Sequence, residues 1–278
     1  MAPGSPDGHD RPPVADGGGR RPGVLCLLGN DDRSKDIQFR VAAAVADGGR
    51  VVVVSGDDSE QFVRRARAES ALTDVEVESV DGPSSASRGW ITSTVDEREL
   101  STIVDGRDGH SGFTDSRSLG VDSDCTLVTV GTAEGVDSVS SLLVPVAMGP
   151  HLDAVVDVSK TLAEATDSWL DLFHVVEDAD AQSANVEALL SHCAERLGSF
   201  DQYDEWVFEA PDPAAAIADQ SQYYDVTVLG ATQTGELRRY VFGSTADEVR
   251  EMAPNVVLTV DASDVAMSRV ERWFGEGT

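Results

Sequence analysis

Short apolar runs that stop at a glycine recur along this chain, with stretches of helical periodicity between them. The run from Val24 to Leu28 ends at Gly29, DCTLVTVG ends at Gly131, and YDVTVLG ends at Gly230. Runs this short and rich in β-branched residues read as strands buried on both faces, and strands alternating with amphipathic helices predict a parallel sheet with right-handed crossovers. The predicted class is α/β.

The rhythm can be followed residue by residue. After Val24–Leu28, residues 33–47 carry Ile37, Phe39, Val41, Ala42 and Val45 among polar positions, a helix pattern. Val51–Val54 reads as a strand, Glu60–Leu72 as a helix and Val75–Val80 as a strand. The stretch Asp81–Asp124 is rich in Ser, Gly and Asp, with one helical patch near Asp96–Val104. Cys125–Val130 is a strand, and the loop Thr132–Ser140 leads to the next strand, Leu142–Ala147.

The second half repeats the pattern. Asp153–Asp167 is a helix with Val155, Val158, Leu162 and Ala165 on one face. Trp169–Val176 is a strand, Ala184–Leu197 a helix, and Trp206–Glu209 lies in a strand. Pro211–Gln222 is a helix with prolines at its start, where a missing N–H costs little. Asp225–Leu229, Ser244–Met252 and Val256–Val260 then read as strand, helix and strand, before an amphipathic segment Val265–Phe274 with Trp273. Two tandem α/β sandwich domains follow, 23–138 and 141–263, between a tail 1–22 that reads as disordered and a C-terminal segment 264–278. The second is five-stranded. Two alignments of the first stand open. One makes Cys125–Val130 its fourth strand, leaving it without a fourth helix and a fifth strand. The other makes Ser101–Asp105 strand four and Cys125–Val130 strand five.

Charge narrows the setting. The chain has 278 residues, 21 Lys+Arg against 50 Asp+Glu, and a net charge of −29. Residues 1–140 carry 25 acids and 14 bases, and residues 141–278 carry 25 acids and 7 bases, so acidity belongs to the whole surface. Nucleic acid and anionic lipid are excluded as partners, because both need Lys/Arg neutralisation. Lys35 and Lys160 are the two lysines. Even acidity with so little lysine points to a halophilic cytosol, where a Debye length of about 3 Å at ~1 M salt screens self-repulsion. No run approaches the roughly 18 apolar residues of a membrane span, and the opening MAPGSPDGHDRPP has no apolar core. A cytoplasmic protein is expected. Cys26, Cys125 and Cys193 lie outside any C-x-x-C pattern and read as buried reduced thiols.

The segment GATQTGELRRYVFGST from Gly230 to Thr245 is the most specific stretch. A strand ends at a glycine, a small-residue loop follows, and a Gly-Ser-Thr opens a helix. Such a loop can cradle an anion: Gly230, Gly235 and Gly243 free the backbone, and the helix N-terminus adds partial positive charge. Ser244 or Thr245 can donate, and Arg238 or Arg239 can clamp. Thr245 with Glu248 also fits a capping box.

The second half resembles the universal stress protein (UspA-like) family. LLVPVA, LFHVV and PDPAAAIADQSQYYDVTVLG carry the likeness, with GELRRYVFGSTADEVREMAPNVVLTV completing it. It spans about residues 141–262, and over 23–135 it is architectural. It implies the five-stranded adenine nucleotide alpha hydrolase-like fold, dimerisation through the last strand, and in some members ATP binding through a G-x2-G-x9-G-S/T loop. Gly230 takes the first glycine of that pattern and Gly243 and Ser244 the last pair, with Val146 at the strand-one end of the nucleotide site. Two departures stand out. Gln233 holds the second glycine position, and Ala147 stands where the family commonly has an aspartate.

Other candidates have bland readings beside them. His174, inside a strand, reads as a satisfied structural histidine, and His151 as a solvated loop residue at the ligand-binding edge of the sheet. His192 and Cys193 are helix neighbours that point apart and make no metal pair. No Walker A loop, G-x-S-x-G elbow or H-E-x-x-H helix is present. The expectation is a non-enzymatic stress-response or regulatory module, a homodimer or a pseudo-dimer of its halves, binding ATP, another adenine nucleotide or a small anion. The alternatives are a ligand-free dimerisation or docking module with a protein partner and, further off, a nucleotide-dependent phosphotransferase.

Overall fold

The apolar runs form strands and the periodic stretches form helices. The computed structural model describes residues 23–29, 32–55, 60–70, 75–82, 86–107, 125–131, 136, 138–176, 183–231 and 245–262. The first half comprises β1 (Gly23–Leu27), α1 (Asp32–Ala46), β2 (Arg50–Ser55), α2 (Glu60–Ser70), β3 (Glu76–Asp81), α3 (Arg88–Arg98), β4 (Thr102–Asp105) and β5 (Thr126–Gly131). The second comprises β6 (Ser141–Pro145), α4 (Leu152–Thr166), β7 (Trp169–Val176), α5 (Ser183–Leu197), β8 (Tyr203–Glu209), α6 (Pro213–Ser221), β9 (Val226–Gly230), α7 (Thr245–Met252) and β10 (Val256–Asp261).

Both halves lie in one ten-stranded sheet of order β3-β2-β1-β4-β5-β10-β9-β6-β7-β8. Within each half every pairing is parallel. Between halves, β5 and β10 pair antiparallel, with Val128 opposite Val260 and Val130 opposite Leu258. Read outward from this junction, each half has the same order, fifth strand, fourth, first, second, third. The two five-stranded units are therefore two parts of a continuous sheet.

Strand alternation sends side chains to two faces. Val24, Cys26, Leu142, Val144, Val128 and Leu258 face one way into a core that spans both halves under α1, α2, α4 and α5. On the other face the described residues form two clusters. Leu25, Leu27 and Ile103 pack with Ile91 and Val95 of α3. Leu143, Phe173 and Leu229 pack with Ile217 of α6 and Val249 of α7. Asp212 caps α6, accepting the Ala215 N–H at 3.1 Å, with Pro213 as its first residue.

The first half corrects two expectations. Thr102–Asp105 is its fourth strand and Thr126–Gly131 its fifth, so the alignment placing Cys125–Val130 fourth is wrong. The helical patch near Asp96–Val104 divides. The helix ends at Arg98, Glu99 turns left-handed (φ 52°), and the chain re-enters the sheet. In α4 the inward face is Val155, Val158, Leu162 and Ala163, with Ala165 exposed. The tail 1–22, the C-terminal segment and the place of a fourth helix in the first half lie outside the described residues.

Cys26, Cys125 and Cys193 are buried and unpaired. Burial raises all three thiols, Cys125 and Cys193 to about 12, with Asp96 adding to the first of these and Glu205 and Asp153 to the second. For Cys26 burial acts first and the charge of Asp105 second. A thiol held above its ordinary value of 9.0 favours the folded state below that pH, and the contribution fades as pH rises through the folded value. Native protein at pH 8 is therefore expected to leave all three thiols unreacted with an aromatic disulfide reagent, unfolded protein to react at three, and stability to fall above about pH 9. Fast reaction of any one thiol in the native state contradicts this burial.

Leu258 is fully buried in the strand that joins the halves. Leu258→Ala is expected to cost about 2–5 kcal/mol. Because the core beneath it spans both halves, denaturant melts of wild type and variant should each show one transition. Two separated transitions would mean that the halves fold independently.

Candidate functional site

In an open parallel sheet, ligands bind beyond the carboxyl ends of the strands where the strand order reverses. This sheet has two such points, β1/β4 in the first half and β6/β9 in the second. They are built differently.

β6 and β9 pair only at Leu142–Val226 and Leu143–Thr227. The Ser141 carbonyl accepts the Asp225 N–H, so residues 141, 143 and 145 turn their main-chain groups toward β9. The next donor on that edge belongs to Pro145, which has none. The ladder stops and the strand ends part. The cleft between them has a cavity volume of about 80 Å³. That is less than the ~150 Å³ at which an engineered apolar cavity takes up benzene, so a ligand seated here lies partly across the mouth.

The walls are mainly apolar. Val146 lines the cleft from β6, Val155 from α4, Phe173 and Val175 from β7, and Ile217 from α6. Gly230 forms the β9 edge and Thr245, the first residue of α7, lies opposite with Ala246. The main chain of Val146 is fully engaged. Its N–H donates to the Phe173 carbonyl at 2.9 Å, and its carbonyl accepts from His174 Nδ1 at 2.7 Å. His174 thus fixes the β6 end, the structural role read from the sequence.

His151 departs from expectation. It is buried, and its Nδ1 accepts the Ala262 N–H at 3.0 Å, which places the ring proton on Nε2. It joins the start of α4 to the end of β10 and packs against Gly230, where an added Cβ would meet His151 Cβ at 3.2 Å. A solvated loop histidine is ruled out. The N-terminal turns beside the cleft carry acids, Asp153 on α4 and Asp247 with Glu248 on α7.

In the first half the same point is sealed. β1 and β4 pair at four positions, through Leu27–Asp105, and the Gly106 N–H adds a bond to the Leu27 carbonyl at 2.9 Å. The carboxamide of Gln38, on α1 and fully buried, closes the remaining gap. Its Oε1 accepts the Gly29 N–H at 2.9 Å, and its Nε2 donates to the Gly106 carbonyl at 2.9 Å. A Cβ on Gly106 would fall 1.9 Å from Gln38 Cδ, so only glycine leaves room for this bridge. Beside it, Arg107 grips the buried Asp105 through two contacts, Nε to Oδ1 at 2.8 Å and Nη2 to Oδ2 at 2.7 Å.

Of the residues singled out from the sequence, Val146, Gly230 and Thr245 converge on the cleft. Gly235, Arg238, Arg239, Gly243 and Ser244, with Gln233, lie outside the described residues. Thr245 is the first described residue of α7, and the capping box read for Thr245 with Glu248 is not seen among the described residues. Sequence reasoning missed Val155, Phe173, Val175 and Ile217, whose apolar periodicity reads simply as core. Pro145 was the available signal.

Elsewhere, His192 Nε2 meets Asp153 Oδ1 at 2.7 Å, and Arg196 reaches Asp153 and Asp157, the Asp157 hydrogen bond chiefly raising the guanidinium's already high value. Among the described residues, no group of three His, Cys, Asp or Glu side chains is placed to hold a metal ion, and no helix is long and apolar enough to cross a membrane.

Two doubly wound repeats joined through their fifth strands, one with an open switch-point cleft, define the class of protein. Solved structures of the same architecture include universal stress proteins, and the chain has their fold. A putative universal stress protein from Pseudomonas aeruginosa superposes with a TM-score of 0.57 at 15% identity, covering 91% of this chain and 98% of that one. One from Archaeoglobus fulgidus gives 0.56 at 15%, covering 88% and 98%. The cytoplasmic domain of a prokaryotic cation chloride cotransporter gives 0.59 at 10%, covering 90% and 99%. No protein-family profile and no curated protein sequence matches the chain.

Gln38→Ala would leave the buried Gly29 N–H and Gly106 carbonyl without partners, at about 1–3 kcal/mol each. The expected loss of stability is about 2–4 kcal/mol by denaturant titration, with faster amide exchange at Gly29. A variant as stable as wild type would show that the bridge does not seal this end.

Proposed function

We propose that the protein is a non-enzymatic regulatory module of the stress-response kind. It binds one small ligand, ATP or another adenine nucleotide, at the β6/β9 cleft. The observation that carries this reading is the parted strand end at Pro145, which opens an apolar slot where α/β sheets take ligands. Gly230 at its edge and Thr245 at the start of α7 are the described part of the loop in which the family resemblance places the nucleotide.

The β5–β10 ladder supports a pseudo-dimer within one chain, since it joins the fifth strands as two subunits would. The even net charge of −29 supports a cytoplasm of high salt as the working environment. A second reading, a docking module with a protein partner, is favoured by the edge strand β8. There Trp206, Val207 and Phe208 are each about half exposed.

Equilibrium binding of ATP and AMP in multimolar KCl tests the first reading. Gly230→Val should fill the slot, because its Cβ would sit 3.2 Å from His151 Cβ and 3.7 Å from Val155 Cγ2. Binding by the wild type and at least about a 10-fold loss in the folded variant are expected. Equal binding by both proteins would move the ligand away from this cleft.

A further inference from the structure

The fifth strands of the two halves pair with each other, so the sheet ends at β3 on one side and β8 on the other. An edge strand is a row of main-chain donors and acceptors ready for another strand, and proteins commonly guard it. The two edges here are treated differently.

The ladders fix which residues face outward. At β3 the Glu76 N–H donates to the Gly49 carbonyl at 2.9 Å, so Val77 and Ser79 turn their main chain away from β2. That edge is guarded by Arg67 of α2. Its Nε donates to the Val77 carbonyl at 3.2 Å and its Nη2 to Ser79 Oγ at 3.0 Å. At β8 the Gln202 carbonyl accepts the Leu170 N–H at 3.0 Å, and the Ala210 N–H donates to the Val176 carbonyl at 2.9 Å. Even-numbered residues therefore bond to β7, and Tyr203, Glu205, Val207 and Glu209 turn their N–H and carbonyl groups outward. Among the described residues, none bonds these outward groups. Trp206, Val207 and Phe208, in the middle of the strand, are each about half exposed.

We propose that β8 pairs antiparallel with β8 of a second copy of this chain, about a two-fold axis at Trp206, joining two sheets edge to edge. The charge pattern of the strand selects this partner and this register. Hydrogen bonding allows only registers that set odd-numbered residues opposite odd-numbered ones. An axis at Asp204 or Glu205 sets that acid opposite itself, and an axis at Val207 sets Glu205 opposite Glu209. Like charges directly opposite destabilise a strand pair. An axis at Trp206 instead puts Tyr203 opposite Glu209, Asp204 opposite Phe208 and Glu205 opposite Val207. No acid then faces an acid, every outward main-chain group of the strand is paired, and Trp206 meets its own copy. Such self-complementarity is what a two-fold dimer requires. Chains with a net charge of −29 repel in dilute buffer, and at ~1 M salt a Debye length of about 3 Å removes that barrier. This inference rests on β8 being a docking edge, the second reading above, and names its partner.

Sedimentation equilibrium in multimolar KCl tests it on the full chain. Wild type is expected to dimerise at ~100 μM, with slower amide exchange at Glu205 and Val207 than in diluted monomer. Val207→Glu sets a carboxylate opposite Glu205 and should weaken the dimer at least about 10-fold. Trp206→Cys reads the register. On the axis its two copies lie about 4.5 Å apart at Cα, within disulfide reach, and the native thiols are buried, so mild oxidation should give a covalent dimer. Phe208→Cys, whose copies would lie about 13 Å apart, should give none. A monomeric wild type, a dimer indifferent to Val207→Glu, or crosslinking at Phe208→Cys equal to that at Trp206→Cys would overturn this inference and leave β8 open to a different partner. Slow exchange at Glu205 and Val207 in the monomer would mean that the edge is already covered, overturning the docking reading and this inference with it.

Discussion

The antiparallel pairing of β5 with β10 is the contact on which the rest of the molecule depends. A parallel five-stranded sheet ends in an open edge, and an open edge of paired-strand donors and acceptors invites another chain. Here each half covers the other's edge. β10 is bonded on both sides, antiparallel to β5 and parallel to β9, and every residue of it is buried. The hydrophobic layer beneath follows, running without a break from α2 to α5. On the opposite face the described residues gather in one cluster per half.

Once the halves share a frame, small side-chain differences decide what each can do. The first half closes its switch point with a continuous ladder and the Gln38 carboxamide. The second interrupts the same ladder with a proline. Neither change disturbs the strand order. One buried glutamine makes two main-chain bonds that would otherwise be orphaned, and one missing N–H leaves two strand ends free to diverge. The asymmetry is local and backbone-driven, and it needs no difference in fold between the repeats.

How much of this was legible in the sequence follows from how strongly each residue type signals its environment. Trp169–Val176 was read to the residue, because a run of eight with β-branched and aromatic members has few alternatives. TIVD was ambiguous. Four residues are too few to show a period, and the break before them depends on Glu99 in a left-handed conformation, which a glutamate does not advertise. Of the residues lining the cleft, Gly230 and Thr245 were legible as parts of a loop pattern and Val146 through the family resemblance at the end of a strand. His151 was not, because a histidine after Gly-Pro reads as loop, and its burial depends on Ala262, more than a hundred residues away. Gln38 was not, because a polar residue on a helix reads as solvent-facing until the glycines it bridges are seen together. Pro145 was visible throughout, but its meaning lies in which edge of the strand it occupies, and only the register shows that.

The acidity of the chain and the character of the cleft fit one physical argument. A surface with a net charge of −29 repels anions at long range in dilute solution, and the helix turns flanking the cleft add carboxylates. A site that relied on charge attraction there would work against its surroundings. Salt at molar concentration screens both that repulsion and any charge-based attraction, within a few ångströms. Apolar contact and neutral main-chain hydrogen bonds are not screened in this way, and salts that strengthen apolar burial reinforce the first of them. A slot lined by valines and a phenylalanine therefore offers contacts that molar salt does not weaken.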